Sequence, residues 1–274
     1  MLKMSLYFFT ASFVALGVAT LFYLWYTWRG NREVGRLASL FAWMGSIMIG
    51  LSLLLRSIVS GRGPFSNMYE YSTAFAFGIA LSYVVVEWRY KQRAMGFFVL
   101  PWVLLILASV VWLGFASAEV IEPLVPALQN NLLLTLHVSV AIVAYGIFGV
   151  SFGAAIMYLF QASPKPRSWM PTATTLDEIS YRSVMIGFPF FALMIALGAY
   201  WADTAWGRYW GWDPKETASL VTWLIYAAYL HARNLRGWRG RPSAILLIVG
   251  FAATLFTYFG VNLLLPGLHS YAGV

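Results

Sequence analysis

The stretch Trp201-Ala-Asp-Thr-Ala-Trp-Gly-Arg-Tyr-Trp-Gly-Trp-Asp-Pro-Lys-Glu216 sets Trp201, Trp206, Tyr209, Trp210 and Trp212 in a polar-punctuated run between two apolar segments. Indole rings offer much contact area at little entropy cost and stack face on, so this run suits a wide, planar, mostly apolar ligand. Haem is the obvious ligand of that description. The chain carries three histidines, His137, His231 and His269, and neutral imidazole is a common axial ligand of haem iron. Cysteine is absent, which excludes disulfides, thiolate metal sites and a redox relay belonging to this chain.

The elements that must position these residues lie in a membrane. The chain is 61% hydrophobic and 10% charged, with a mean hydropathy of +0.72, a composition a water-soluble exterior does not tolerate. We expect an all-α, polytopic membrane helix bundle forming one integral domain over residues 1–274. A hydrocarbon core needs about 20 apolar residues per helix, and eight segments qualify: roughly 5–27, 37–55, 71–88, 94–115, 132–160, 184–200, 216–232 and 243–265. The N-terminal run has one basic residue, Lys3, and no small-residue cleavage site after it, so it reads as a retained span.

The net charge of +8 sits in short loops, which favours orientation in a bilayer over a nucleic-acid partner. Arg29, Arg32, Arg36, Arg89, Lys91, Arg93, Lys165, Arg167, Arg182, Arg233, Arg236, Arg239 and Arg241 fall on one side, and Lys3, Arg56, Arg62, Arg208 and Lys215 on the other. The positive-inside rule then places both termini on the non-cytoplasmic side, together with the tryptophan-rich loop, Glu119 and Glu122. The pattern Thr175-Leu-Asp-Glu178 reads as a capping box that starts a short interfacial helix or leads into the sixth span.

His137, near the outer start of the fifth span, and His269, after the last span, share a side with the indoles and could clasp one iron from opposite faces. His231 lies 15 residues after Glu216, roughly 22 Å deeper, near the cytoplasmic side. Ala227 leaves room beside it, but its second iron ligand would have to come from elsewhere. A lone histidine at a helix end is more often a hydrogen-bonded or interfacial residue; the coincidence with the indoles favours ligation for the outer pair. Trp25, Trp28, Trp88, Trp102 and Trp112 fit an ordinary interfacial belt. Asp213-Pro214 reads first as a helix cap with Glu216 in the first turn. Arg208, Lys215 and Arg56 are the outer cations able to hold propionates or simply to snorkel; Arg208 ranks first because it lies within the aromatic loop.

The run Trp206-Gly-Arg-Tyr-Trp-Gly-Trp-Asp-Pro-Lys-Glu216 resembles the signature of the haem-handling WWD proteins. Pro64-Phe-Ser-Asn-Met-Tyr-Glu70, Leu136-His-Val138, Gly187-Phe-Pro189, Tyr229-Leu-His-Ala-Arg233, Gly260-Val-Asn262 and Gly267-Leu-His-Ser-Tyr271 extend the resemblance over nearly the whole chain to the CcsA/ResC-type cytochrome c biogenesis proteins. Eight spans separate it from the shorter CcmC-type and longer CcmF-type relatives. The resemblance implies that His137 and His269 are outer axial ligands and that Trp201, Trp206, Arg208, Trp210, Trp212 and Asp213 lie in the loop cradling the porphyrin. It also implies that His231 is one ligand of an inner haem site, completed by a CcsB/ResB-type partner.

The expected activity is passage of haem b across the membrane and its presentation to apocytochrome c for thioether attachment. Any synthase activity belongs to the complex with the partner, in a bacterial plasma membrane or a thylakoid. Two rivals remain: a respiratory membrane anchor with a fixed b-type haem for electron transfer, and a transporter of another planar or anionic solute.

Overall fold

The computed structural model describes residues 1–112, 121, 124, 128, 129 and 131–269; Glu119, Glu122, Ser270 and Tyr271 lie outside the described residues. The chain is helical: α1 (Leu2–Arg29), α2 (Arg32–Ser60), α3 (Met68–Tyr90), α4 (Gly96–Trp112), α5 (Asn131–Gln161), α6 (Ala173–Trp206), α7 (Pro214–Arg236), α8 (Arg241–Leu255) and α9 (Val261–Leu264). A π-helical turn, Phe256–Gly260, joins α8 to α9.

Among the described residues seven helical segments are long and apolar enough to cross a membrane, which makes this an integral membrane protein. The eighth expected span, α7, is 23 residues long, about 34 Å. It does not meet the apolar criterion that the other seven meet. The reason is legible in its sequence: Lys215, Glu216, His231, Arg233, Asn234 and Arg236 leave a short apolar middle.

α1 and α2 pack as one hairpin, α5 and α6 as another, while α3 and α5 form the centre against α4 and α8. Closeness at the α3–α5 crossing requires glycine: a Cβ on Gly146 would stand 2.3 Å from the Gly78 carbonyl oxygen. Small residues permit such backbone approach where lipid, as apolar as the side chains, provides no hydrophobic drive between helices.

α6 runs unbroken for 34 residues, about 51 Å, so its apolar part is one segment of a longer rod. Its start differs from expectation. Thr172, not Thr175, caps it, accepting from the Thr175 N–H at 3.2 Å, and no separate interfacial helix precedes the span. Trp102 also departs from the belt reading, because it packs edge-on against Phe152 at 5.0 Å. Trp25, Trp28, Trp88 and Trp112 are exposed.

Polar clusters tie the helices at both ends. At the end carrying the α2–α3 loop, Glu70 accepts from Arg56 Nε at 2.6 Å, from Arg62 at 3.3 Å and from the Ser66 N–H at 2.8 Å. At the opposite end Glu87 accepts from Tyr83 at 2.6 Å and also from Tyr23 and Ser39. There Arg233 of α7 meets Asp177 of α6 through two hydrogen bonds, 2.8 and 2.7 Å.

Candidate functional site

The end of α6 sets the first part of the site. Gly207 takes a left-handed conformation (φ 72, ψ 23) and returns its N–H to Asp203, stopping the helix directly after Trp206; only glycine enters this region without a Cβ penalty. The chain then turns through 208–212 and restarts at α7. Asp213 caps that start, accepting from the Lys215 N–H at 3.1 Å, while Glu216 accepts from the Asp213 N–H at 3.1 Å and the Gly211 N–H at 2.8 Å. Pro214 occupies the first helical position, so the expected cap is present.

The same carboxylate reaches the tail that follows α9. Asp213 Oδ1 accepts the Leu268 N–H at 2.7 Å, and Oδ2 lies 2.8 Å from His269 Nδ1. Although burial raises it, the His269 hydrogen bond and the N–H groups of Leu268 and Lys215 bring the Asp213 carboxyl below its ordinary value. Burial lowers His269, against the opposing pull of Asp213, which favours a neutral imidazole. With an ionised carboxylate as acceptor, His269 carries its proton on Nδ1 and its lone pair on Nε2.

His137 reaches the same state by a different route. Its Nδ1 donates to the Met194 carbonyl of α6 at 2.9 Å; a carbonyl only accepts, so Nδ1 carries a proton, and in the neutral ring the lone pair is then on Nε2. Gly198, one turn further along α6, lies against the ring, and a Cβ there would stand 2.7 Å from His137 Cε1. Histidines that bind metals are commonly oriented this way, through the nitrogen not used for ligation.

Trp201 joins the two. Its indole is stacked on His137, centroids 6.3 Å apart and planes 9° from parallel, and lies 5.7 Å from His269. Trp206 meets Trp201 at 4.8 Å and His269 at 4.8 Å, edge-on in both cases. Trp201 is 2% exposed, and its buried Nε1–H has no hydrogen-bond partner, an orphaned donor of the kind that calls for an explanation at a site.

One cavity contains both imidazoles, with Trp201, Trp210, Lys215 and Asn262 on its wall. Tyr71, Phe75 and Tyr145 from α3 and α5, and Tyr258 from the π-turn, close its far side. Open space within it is about 100 Å³, below the roughly 300–1,000 Å³ of sites that surround a drug-sized ligand. A macrocycle would therefore enter by parting the walls. Among the described residues no group of three or more histidine, cysteine or acidic side chains is placed to hold a bare metal ion. Two imidazoles, an indole wall and an unsatisfied N–H instead fit an iron carried in a planar organic ring.

The rest of the expected set is divided. Trp210 lines the cavity and meets Trp212 edge-on at 5.7 Å, whereas Trp212 and Tyr209 are exposed. Trp212 adopts φ 56, a left-handed conformation uncommon for a non-glycine residue, which separates its outward ring from the inward Asp213. Arg208 is exposed, and its guanidinium lies over Gly211 outside the cavity wall. His231 stands exposed near the other end of α7 with no hydrogen bond among the described residues. Tyr71, Phe75, Tyr145 and Tyr258 were not anticipated as lining; Asn262 was visible only as part of the Gly260-Val-Asn262 motif.

These features define a polytopic membrane helix bundle with an indole-lined, two-imidazole cavity at one end. The chain belongs to the cytochrome c assembly protein family, whose pattern matches residues 65–269, and within it to the CcsA-type cytochrome c biogenesis proteins. It is 38% identical over 234 residues to the cytochrome c biogenesis protein CcsA of Chlamydomonas reinhardtii, covering 83% of this chain and 66% of that protein. The CcsA of Prochlorococcus marinus (strain MIT 9515) is 34% identical over 271 residues, 89% of this chain and 86% of that one; CcsA of Guillardia theta is 38% identical over 250 residues, 83% of each. The fold is similar to a solved structure of the cytochrome c haem lyase CcmF, with a TM-score of 0.70 at 18% identity. That alignment covers 94% of this chain and 46% of the CcmF chain.

Proposed function

We propose that this chain carries haem b from the cytoplasmic to the outer face of its membrane and presents it to apocytochrome c as a subunit of a cytochrome c synthase. Membership of the cytochrome c assembly family places the chain in cytochrome c maturation, and the haem-handling role rests on the site. The observation that carries it is the paired Nδ1 contact: His137 and His269 are each held through that nitrogen, by the Met194 carbonyl and by Asp213, and both rings line one aromatic cavity. Neutral imidazoles on either side of a porphyrin give a low-spin iron, and Trp201 and Trp210 supply ring surface around it, with Trp206 packed edge-on against Trp201; Trp212 faces outward.

The chemistry asked of the site is positioning. Each apocytochrome thiol adds across a haem vinyl group: a sulfur–carbon bond forms, and the thiol hydrogen passes to the other vinyl carbon. Holding the vinyl beside the thiol makes this step effectively unimolecular, and no acid–base pair in the cavity is needed for the balance. His231, exposed on α7, serves an inner haem site completed by a CcsB/ResB-type partner. The charge distribution of the loops supports both termini outside. The membrane is a bacterial plasma membrane, with a thylakoid the alternative favoured by algal and cyanobacterial relatives.

The test is haem content. The protein purified in detergent with its co-purifying chains should show a low-spin bis-imidazole spectrum, and His137→Ala with His269→Ala should lose the outer haem and cytochrome c assembly together. Normal haem and normal assembly in that double variant would overturn the ligand assignment. Gly198→Ala, which drives a methyl to 2.7 Å from His137 Cε1, should weaken the low-spin signal about tenfold at limiting haem by breaking the single hydrogen bond that orients the ring. An unchanged haem titration would show that this orientation is dispensable.

A further inference from the structure

Of the cations at the outer end, four are committed elsewhere or face away. Arg56 and Arg62 are paired with Glu70, Arg208 is exposed over Gly211, and Lys3 lies near the start of α1, outside the cavity wall. Lys215 alone among the described cations lines the cavity. Its ammonium donates to Asn262 Oδ1 at 3.1 Å and lies 5.7 Å from the Tyr71 ring centroid, both neutral partners. An ammonium has three donors, and one hydrogen bond uses one of them.

The nearby carboxylates do not compensate it directly. Asp213 is engaged by His269 and two backbone N–H groups, and Glu216 Oε2 by Gly211 and Asp213. A cation held on an apolar wall beside two neutral imidazoles favours a ligand that brings its own negative charge.

We infer that Lys215, seated by Asn262, is the anchor for a carboxylate of the planar ligand and fixes which edge of the ring turns toward α7. The assignment rests on the cavity being the outer haem site. It replaces Arg208, which the sequence favoured, because the buried wall and not the loop tip carries the available charge. The substrate class is thereby narrowed to porphyrins bearing free acid groups, and the opposite edge of the ring is the one left for chemistry.

The two readings are separated by titrating the detergent-purified protein with ferric protoporphyrin IX and with its dimethyl ester, following the low-spin absorption band. The unaltered chain should bind the free acid roughly tenfold more tightly than Lys215→Met does, as expected for one charge-assisted bond. Both proteins should bind the ester equally, which also shows that Lys215→Met is folded. Lys215→Arg should retain the preference for the free acid. A Lys215→Met protein that keeps the full preference, or an unaltered chain with none, overturns the anchor while leaving the imidazole pair intact. Absence of low-spin binding of either porphyrin by the unaltered chain overturns the haem site and the anchor with it.

Discussion

Asp213→Ala is expected to cost about 2–4 kcal/mol of stability, combining a lost helix cap with a stranded tail N–H. Alanine cannot accept from the Lys215 N–H, so α7 loses its start, and it leaves the Leu268 N–H and His269 without the acceptor that now lies 2.7 and 2.8 Å away. The residue is 6% exposed, so water does not readily replace the carboxylate. Two readouts should fall together: the midpoint of thermal unfolding in detergent and the low-spin signal of bound haem. Asp213→Asn separates them, because asparagine caps helices as well as aspartate but offers His269 a neutral acceptor that makes the imidazole a weaker ligand. Stability close to that of the unaltered protein with reduced haem affinity is the expected result for asparagine. An alanine variant that binds haem normally would mean that Asp213 serves only the helix.

Glu70→Ala should be more damaging still. Arg56 and Glu70 are 1% and 0% exposed at their side chains, 2.6 Å apart, with Arg62 and the Ser66 N–H and hydroxyl converging on the second oxygen. Removing one member of a buried ion pair typically costs about 3–5 kcal/mol, because the remaining charge has lost both water and its partner. The Arg56 guanidinium stacks on Tyr69 at 4.9 Å, which soften the loss only slightly. A lowered unfolding midpoint and reduced yield of the folded protein are expected, with Glu70→Gln intermediate because it still accepts from Ser66. An alanine variant as stable as the original would show that the pair contributes nothing net. Since the α2–α3 loop lies at the same end as the cavity, haem loss here would follow unfolding and should not precede it.

The helices and the cap were readable from the chain, for separate physical reasons. Apolar runs long enough for a bilayer came within about five residues of the ends of α1–α5 and of the continuous run from α8 through α9, and Asp213-Pro214 with Glu216 announced the start of α7 through local chemistry alone. The extension of α6 back to Ala173 was not readable, because beyond the apolar stretch a helix continues on propensity and on contacts such as Asp177–Arg233, which bring together residues 56 positions apart. The site divides likewise. The histidines and the tryptophans stood out by type, but the group holding His137 is a backbone carbonyl, and a carbonyl leaves no trace in a sequence. Nor does spacing reveal that Trp201 points inward while Trp212, forced into a left-handed backbone, points out. Lys215 and Arg208 are alike as letters; only the direction in which α7 begins distinguishes them.

The two imidazoles hang from unequal supports. His137 is rooted in α5 and pinned to α6, two long rods that pack along their length, whereas His269 belongs to the short segment after α9, held to the start of α7 through Asp213. Thermal excursions at this end therefore fall unevenly, as in a door with one fixed jamb. With haem held as proposed, an arriving competitor would meet its easier opening on the tail side, and exchange would begin there while the helix-borne imidazole keeps the ring in register.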